Sequence, residues 1–529
     1  KTEQKEDEIM AKQFLYDSLP VVETKAGKLR GYQWEGTYIF KGIRYARANR
    51  FQLPEEVEPW EGVKEAASYG FVCPMLTRDH PQGELLVPHR YWPQDEDCLS
   101  LNIWSQSLDR SAKKPVMFWI HGGAFSMGSS IEQKAYNGEN MSRYGDVVVV
   151  TVNHRLNILG YLDLSPYGER YAGSANAGQA DLVAALKWVR DNIEAFGGDP
   201  DNVTIFGQSG GGMKVSGLMQ TPEADGLFHR AMIMSGVAGD VLPYSTGDSR
   251  PLIQAMLKEL GLAEQEAGRL ETVPYYDLAA AYNRVSPAIA RAGGYIGCTP
   301  RPDDFYKGEG PAVGFTDHAK TIPVMVGTVF GEFAMMPLPF NKETISEAEL
   351  DEILDKRFQG HGKELKAVFA EAYPGKSPVD LLTLDTIFRG PTKEFVRSLA
   401  AAGGSVYSYL FALEFPYQNQ KTAWHCSDIP FVFHNTELVP VANIPEVSDR
   451  LEEQMFGAVM AFARSGKPEY GALPQWPASR EDDEATMIFD RVCEVRHNHD
   501  NRLLKLHAES SPKFDLAAVM AEMGDEIQH

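Results

Sequence analysis

The sequence predicts an α/β protein built on a large, mostly parallel central sheet flanked by helices, and three observations carry that prediction. Short apolar runs rich in β-branched residues recur at Val116 to Ile120, Val147 to Val152, Val203 to Phe206, Ala231 to Met234 and Val324 to Val326. Each run is unbroken rather than alternating, which suits parallel strands buried on both faces. Between the runs, glycine-containing turns lead into helical periodicity, the alternation of a β-α-β chain.

The elements follow in chain order. Val21 to Thr24, a turn at Gly27, the stretch from Leu29, and Thr37 to Phe40 read as short antiparallel strands ahead of the parallel ones, so the sheet is expected to be mixed. Leu182, Leu186, Val189, Ile193 and Phe196 fall on one helical face, and Gly197-Gly198 is expected to stop that helix. Residues 240–311 and 335–402 are rich in helical pattern and poor in strands, as insertions over a sheet edge would be, and are candidate lids over a pocket. No internal repeat, low-complexity tract or Pro/Ser/Gly linker divides the chain, so residues 1–529 are expected to form one domain carrying those insertions.

Composition excludes several function classes. Hydrophobic residues at 43% and charged residues at 23% of 529 are those of a chain able to bury a core. With 51 Lys plus Arg against 73 Asp plus Glu, the net charge of −22 repels nucleic acid and anionic membrane surfaces. No apolar run approaches the ~20 residues that span a bilayer. The opening segment KTEQKEDEIMAK is charged, lacks the apolar centre of a signal peptide and has no initiator Met. Five cysteines (Cys73, Cys98, Cys298, Cys426 and Cys493) show no C-x-x-C spacing, which argues against a zinc site or a redox motif.

One segment carries chemistry on its face. Val203 to Phe206 runs directly into Gly207-Gln208-Ser209-Gly210-Gly211, followed by small residues able to start a helix. A G-x-S-x-G turn between strand and helix forces its serine into a strained backbone that exposes the hydroxyl, and the flanking glycines remove the Cβ atoms that would clash. Alone the pattern is common in a chain with 47 glycines, so its partners decide. Acyl transfer develops an oxyanion that needs N–H donors already in place. His121-Gly122-Gly123-Ala124-Phe125, after the run Val116 to Ile120, offers Gly122 and Gly123, and Gly210 adds the N–H that follows the nucleophile.

Serine also needs a base, and histidine titrates in the right range. Of 13 histidines, His80, His89, His361, His497, His499 and His529 sit in polar, loop-like contexts and read as surface residues. His425 lies in a loop after the strand Val406 to Phe411 and before an aromatic run, late in the chain. The acid should leave the end of a strand between Ser209 and His425, and Glu332 follows Pro323 to Gly327 in that way. Asp428 is the rival. Three residues from His425 and just before Ile429-Pro430, it reads as a loop-shaping residue bonded to local backbone N–H groups. This triad chemistry requires neither metal nor organic cofactor.

With these residues in place the chain resembles the type B carboxylesterases, the α/β-hydrolase family that includes cholinesterases and bacterial para-nitrobenzyl esterases. The resemblance covers nearly the whole chain: Thr24 to Ala46, EDCLSLNIW from Glu96, HGGAF from His121, NIEAFGGDPDNVTIFGQSGGG from Asn192, VGTVFGEF from Val326 and HCSDIPFVF from His425. It implies a serine carboxylesterase that hydrolyses small-molecule esters through an acyl-enzyme. Ser209, Glu332 and His425 stand where the family keeps its triad, and Gly122, Gly123 and Gly210 where it keeps its oxyanion hole. The chain departs from the family at Gln208 and Gly210, where Glu and Ala are common, and at Val329 and Phe333, where Asn and Gly are common.

Secreted relatives pair cysteines placed like Cys73 and Cys98. Intracellular relatives carry the same residues unpaired; with an odd number of cysteines and no visible leader, a cytoplasmic enzyme is expected here, and a secreted one, with or without the Cys73–Cys98 disulfide, is the alternative. Two rival readings share the fold. One is an adhesion-type binding member of the family that has lost the triad, although all three side chains are present here. The other is acyl transfer to or from amides, thioesters or alcohols by the same machinery.

Overall fold

The computed structural model describes residues 15–77, 84–239, 246–334, 338–418 and 420–511. Eleven strands form the main sheet: β1 Tyr32–Trp34, β2 Thr37–Arg44, β3 Ser100–Ser105, β4 Lys114–Ile120, β5 Val148–Val152, β6 Gly198–Gln208, β7 Arg230–Met234, β8 Val324–Val329, β9 Val406–Phe411, β10 Ala485–Phe489 and β11 Glu494–His497. Their spatial order is β11-β10-β9-β8-β7-β6-β4-β5-β3-β2-β1. From β5 to β10 every neighbouring pair is parallel, while β1, β2, β3 and β11 are joined antiparallel. This is the mixed, mostly parallel sheet expected from the unbroken apolar runs.

The reason is visible in how one strand divides its side chains. Along β4, Met117 and Trp119 enter one core and Val116, Phe118 and Ile120 the other. Both faces of the sheet are covered, so both residue parities must be apolar. The exception is at the N-terminal end. Val21–Glu23 and Lys28–Arg30 pair antiparallel but join Val63–Glu65 in a separate three-stranded sheet rather than leading into the main one. Of the residues in those two strands only Val22 and Leu29 are buried, enough for one small inward face.

Helix Ala177–Asn192 buries Leu182, Leu186 and Val189, and a 3₁₀ turn over Ile193–Phe196 continues the same face. Gly197, at φ 76°, ends it, and Gly198 already belongs to β6. Both expected insertions are helical among the described residues. The first holds Arg250–Glu259 and Tyr275–Arg291 over a core of their own. The second holds Glu347–Arg357, Gly362–Ala372 and Arg389–Ala401, and its Leu354, Leu365 and Phe369 join the main core beside Phe330. No described helix is long and apolar enough to cross a membrane. His121, Ser209 and Glu332 lie just beyond the carboxyl ends of β4, β6 and β8, where open α/β sheets place their ligands, and His425 lies in the long loop that follows β9.

Candidate active site

Ser209 occupies the turn between β6 and helix Gly210–Met219 at φ 57°, ψ −127°, a conformation that L-residues avoid. Two bonds hold it there. Its N–H donates to the Met234 carbonyl on neighbouring β7 at 2.8 Å, and its own carbonyl accepts from the Met213 N–H at 3.0 Å.

The loop after β4 turns sharply because Gly123 lies at φ 84° and Ala124 at φ 51°. The Gly123 carbonyl accepts the N–H groups of Ser126 and Met127, which closes the loop on itself. Among the described residues the N–H groups of Gly123, Ala124 and Gly210 donate no hydrogen bond, as a site waiting for an oxyanion requires. Gly122 differs, because its backbone is engaged by the Tyr136 hydroxyl. Ala124 escaped the sequence reading because alanine gives no sign of a left-handed backbone.

Behind this loop the fully buried Lys214 reaches toward the His121 carbonyl at 3.4 Å, and burial pushes its ammonium pKa down to about 7. A lysine in an otherwise apolar helix was the only sequence signal for it.

Glu332 is completely buried. Its Oε1 accepts from the Ser235 hydroxyl at 2.6 Å and from the Val329 N–H at 2.9 Å, while Oε2 lies 2.5 Å from His425 Nδ1. A main-chain bond from His425 N–H to the Glu332 carbonyl at 2.9 Å ties the two loops together. Burial favours the neutral imidazole, but the charge and hydrogen bond of Glu332 outweigh it, helped by Asp428 and Asp385, and the His425 pKa is raised above 6.5.

Two further buried carboxyl groups attend the pair. Asp385 accepts the N–H groups of Ile387, Phe388 and Arg389, and burial followed by the Glu332 charge raises it to about 7. Asp428 is raised to about 7 by the same two causes. Contrary to the sequence expectation, the Asp428 side chain does not cap local backbone: Oδ2 accepts from the Tyr409 hydroxyl on β9 at 2.9 Å. Its backbone carbonyl does the loop shaping, accepting from Phe431 and Val432.

Ser209 Oγ makes no hydrogen bond among the described residues. The Gln208 carboxamide Nε2 lies 3.1 Å from His425 Nε2 and 3.3 Å from Nδ1, distances that place it over the ring rather than on the outer lone pair. Catalytic hydrogen bonds often tighten only once substrate is bound. Phe333 and Phe388 lie nearly parallel to the imidazole, with centroids at 5.9 and 5.5 Å, and Phe333 is 46% exposed.

Of the histidines set aside, His361 and His497 are exposed and His89 is half-buried. His499 is a correction. Its ring packs edge-on to Tyr373, and burial pushes its pKa down to about 4. His80 and His529 lie outside the described residues. Among the described residues no group of three or more His, Cys, Asp or Glu side chains is placed to hold a metal ion.

The model of the carboxylesterase family matches residues 18–505. The chain belongs to the carboxylesterase family. It is 34% identical over 496 residues to the para-nitrobenzyl esterase of Bacillus subtilis, covering 91% of this chain and 97% of that protein. It is 32% identical to the phenmedipham hydrolase of Pseudarthrobacter oxydans, covering 90% and 96%.

Among solved structures, an esterase from the anaerobe Clostridium hathewayi, described as able to hydrolyse aliphatic aromatic polyesters, is 94% identical. It superposes with a TM-score of 0.93 over 94% of this chain and all of that one. A para-nitrobenzyl esterase structure at 32% identity gives a TM-score of 0.74 over 94% and 100%. This carboxylesterase is therefore a carboxylic ester hydrolase with the α/β-hydrolase fold, and the serine mechanism is general to its family.

Proposed function

We propose that Ser209, His425 and Glu332 are the catalytic triad of this carboxylesterase, and the observation that carries the reading is the Glu332–His425 contact beside the strained turn of Ser209. His425 takes the Ser209 proton as Oγ attacks the ester carbonyl. Glu332 holds Nδ1 protonated so that Nε2 is the basic nitrogen, and it offsets the positive charge that develops on the ring. The N–H groups of Gly123 and Gly210 receive the oxyanion. Ala124, packed against Gly210, supplies the loop donor that Gly122 was expected to provide. Collapse of the adduct returns the proton to the departing alcohol and leaves an acyl-Ser209, which water then hydrolyses with His425 again as base.

A fluorophosphonate should label one residue, Ser209, and Ser209→Ala should remove both the label and turnover. A label that persists in Ser209→Ala would sink the assignment. An adhesion-type role is disfavoured because the acid and the base are in contact in the resting protein.

The substrates we infer are esters carrying an aromatic ring, including the ester links of aliphatic–aromatic polyesters. Two supports converge: the 94% identical relative that hydrolyses such polymers, and an exposed aromatic ring, Phe333, beside the candidate base. Incubation with such a polyester film should release its aromatic acid, measured by chromatography, and Ser209→Ala should release none.

A cytoplasmic location is part of the same reading, supported by five free cysteines, three of them buried. Thiol titration of the freshly isolated, denatured protein should count five, and a count of three would indicate an oxidised pair and a different compartment.

A further inference from the structure

Lys214 is fully buried, yet no step of the triad chemistry uses it. Its place follows from the glycines before it. A Cβ built on Gly211 would fall 2.0 Å from the Ile120 carbonyl oxygen, so the helix that starts after Ser209 is pressed against the end of β4. Lys214 stands three residues on, over the same helix face, and is the first residue on that face to carry a side chain. Its Nζ donates to the His121 carbonyl at 3.4 Å and lies 5.6 Å from the centre of the Phe125 ring. One amine thus meets both ends of the loop that carries Gly123 and Ala124. The peptide leading into that loop has Lys214 on its oxygen, while the Gly122 backbone is engaged by the Tyr136 hydroxyl.

We propose that Lys214 is a positioning residue for the oxyanion hole, its buried amine holding the His121 carbonyl so that the Gly123 and Ala124 N–H groups stay aimed at the developing oxyanion. The proposal rests on the assignment of those groups as donors and of Ser209 as nucleophile. The fold itself does not need an amine at this position. The ionisable groups that face Lys214 are Glu132, the Cys73 thiol and the rings of His121 and His154, and Glu132 is the one carboxylate among them. Lys214 forms no ion pair among the described residues. Burying a cation without a contacting counter-ion opposes folding, and methionine would fill the same space with an apolar group. What lysine adds is a donor at the base of the loop. Burial brings its pKa to about 7, and the ammonium and the free amine both carry an N–H to donate.

The test compares Lys214→Met with the wild type in kcat/KM on a soluble p-nitrophenyl ester, in Tm, and in inhibition by an aryl trifluoromethyl ketone beside the matching methyl ketone. Ser209 Oγ adds to the trifluoromethyl ketone carbon as its proton passes to His425, and the ketone oxygen becomes an oxyanion in the hole. The methyl ketone occupies the site largely unreacted. Lys214→Met should lower kcat/KM by about tenfold to a hundredfold, the range of a weakened oxyanion donor, and weaken the trifluoromethyl ketone by a matching factor. The methyl ketone should bind within about twofold of its wild-type affinity, because it makes no transition-state interaction. Tm should stay level or rise.

Equal weakening of both ketones shows a packing role and overturns the proposal, as does a wild-type affinity for the trifluoromethyl ketone. Should Lys214→Met not fold, Lys214→Gln, whose amide is one bond shorter than the lysine chain, is read by the same criteria. A wild-type enzyme that binds the trifluoromethyl ketone no more tightly than the methyl ketone removes the assignment of Ser209 and the oxyanion hole, and the proposal with it.

Discussion

Gly210 and Ala124 are in backbone contact: a Cβ built on Gly210 would fall 2.1 Å from the Ala124 carbonyl oxygen and 2.3 Å from its Cα. The residue after the nucleophile and the loop after β4 therefore approach more closely than any side chain permits. An alanine at 210 does not fit in this structure without displacing the loop. Gly210→Ala should lower kcat by about tenfold to a hundredfold, because a shifted donor no longer meets the oxyanion. Steady-state kinetics on a p-nitrophenyl ester, with Tm confirming the fold, decides it. A wild-type kcat would show that the loop yields freely.

The pH dependence follows from the raised pKa of His425. The ring must be neutral to take the serine proton, so kcat/KM is present above the folded pKa and is lost as pH falls through it. The midpoint should lie above 6.5, and a midpoint at or below 6 would contradict the dominance of the Glu332 charge.

Glu332 and Asp428 should separate cleanly on mutation. Glu332→Gln removes the charge that fixes the tautomer and should cost about 10³–10⁴ in kcat with the fold retained. Asp428, raised to about 7 and bonded to the Tyr409 hydroxyl, is already partly protonated at neutral pH, and asparagine can accept the same bond. Asp428→Asn should therefore cost less than about tenfold. Loss of turnover in Asp428→Asn alongside an active Glu332→Gln would reverse the roles.

The exposed ring of Phe333 lies 6.0 Å from Phe388 and nearly parallel to it. Phe333→Ala should lower kcat/KM for benzoate-type esters by about twofold to tenfold, the scale of an aromatic contact, and leave acetate esters within twofold. Equal losses on both ester classes would point to a disturbed His425 rather than a lost ring contact.

The amino-acid order by itself determined the main-sheet strands and the strand-to-helix turn at Ser209, and it nominated Ser209, Glu332 and His425 in that order, because these readings depend on short-range rules: apolar parity, glycine sterics and the strand end that precedes each loop. It placed Val203 to Phe206 correctly but not the extension of β6 back to Gly198, since Asp and Pro oppose strand formation locally and the extension is anchored to β4 only at Gly198, across an irregular stretch before Val203. It also preferred Glu332 to Asp428 from its strand-end setting, but the buried Asp385 and the donors around these acids were out of its reach. Glu332, Asp385 and Asp428 are all buried acids, and which one serves the imidazole depends on the donors that tertiary packing delivers. Ser235 comes from the end of β7 and Val329 from β8, and together they surround the Glu332 carboxylate. Ala124 beside Gly210 and Gln208 against His425 are likewise contacts between segments distant in the chain. No local pattern encodes them, because hydrogen bonding and burial act through space, and only the closed sheet brings those strand ends together.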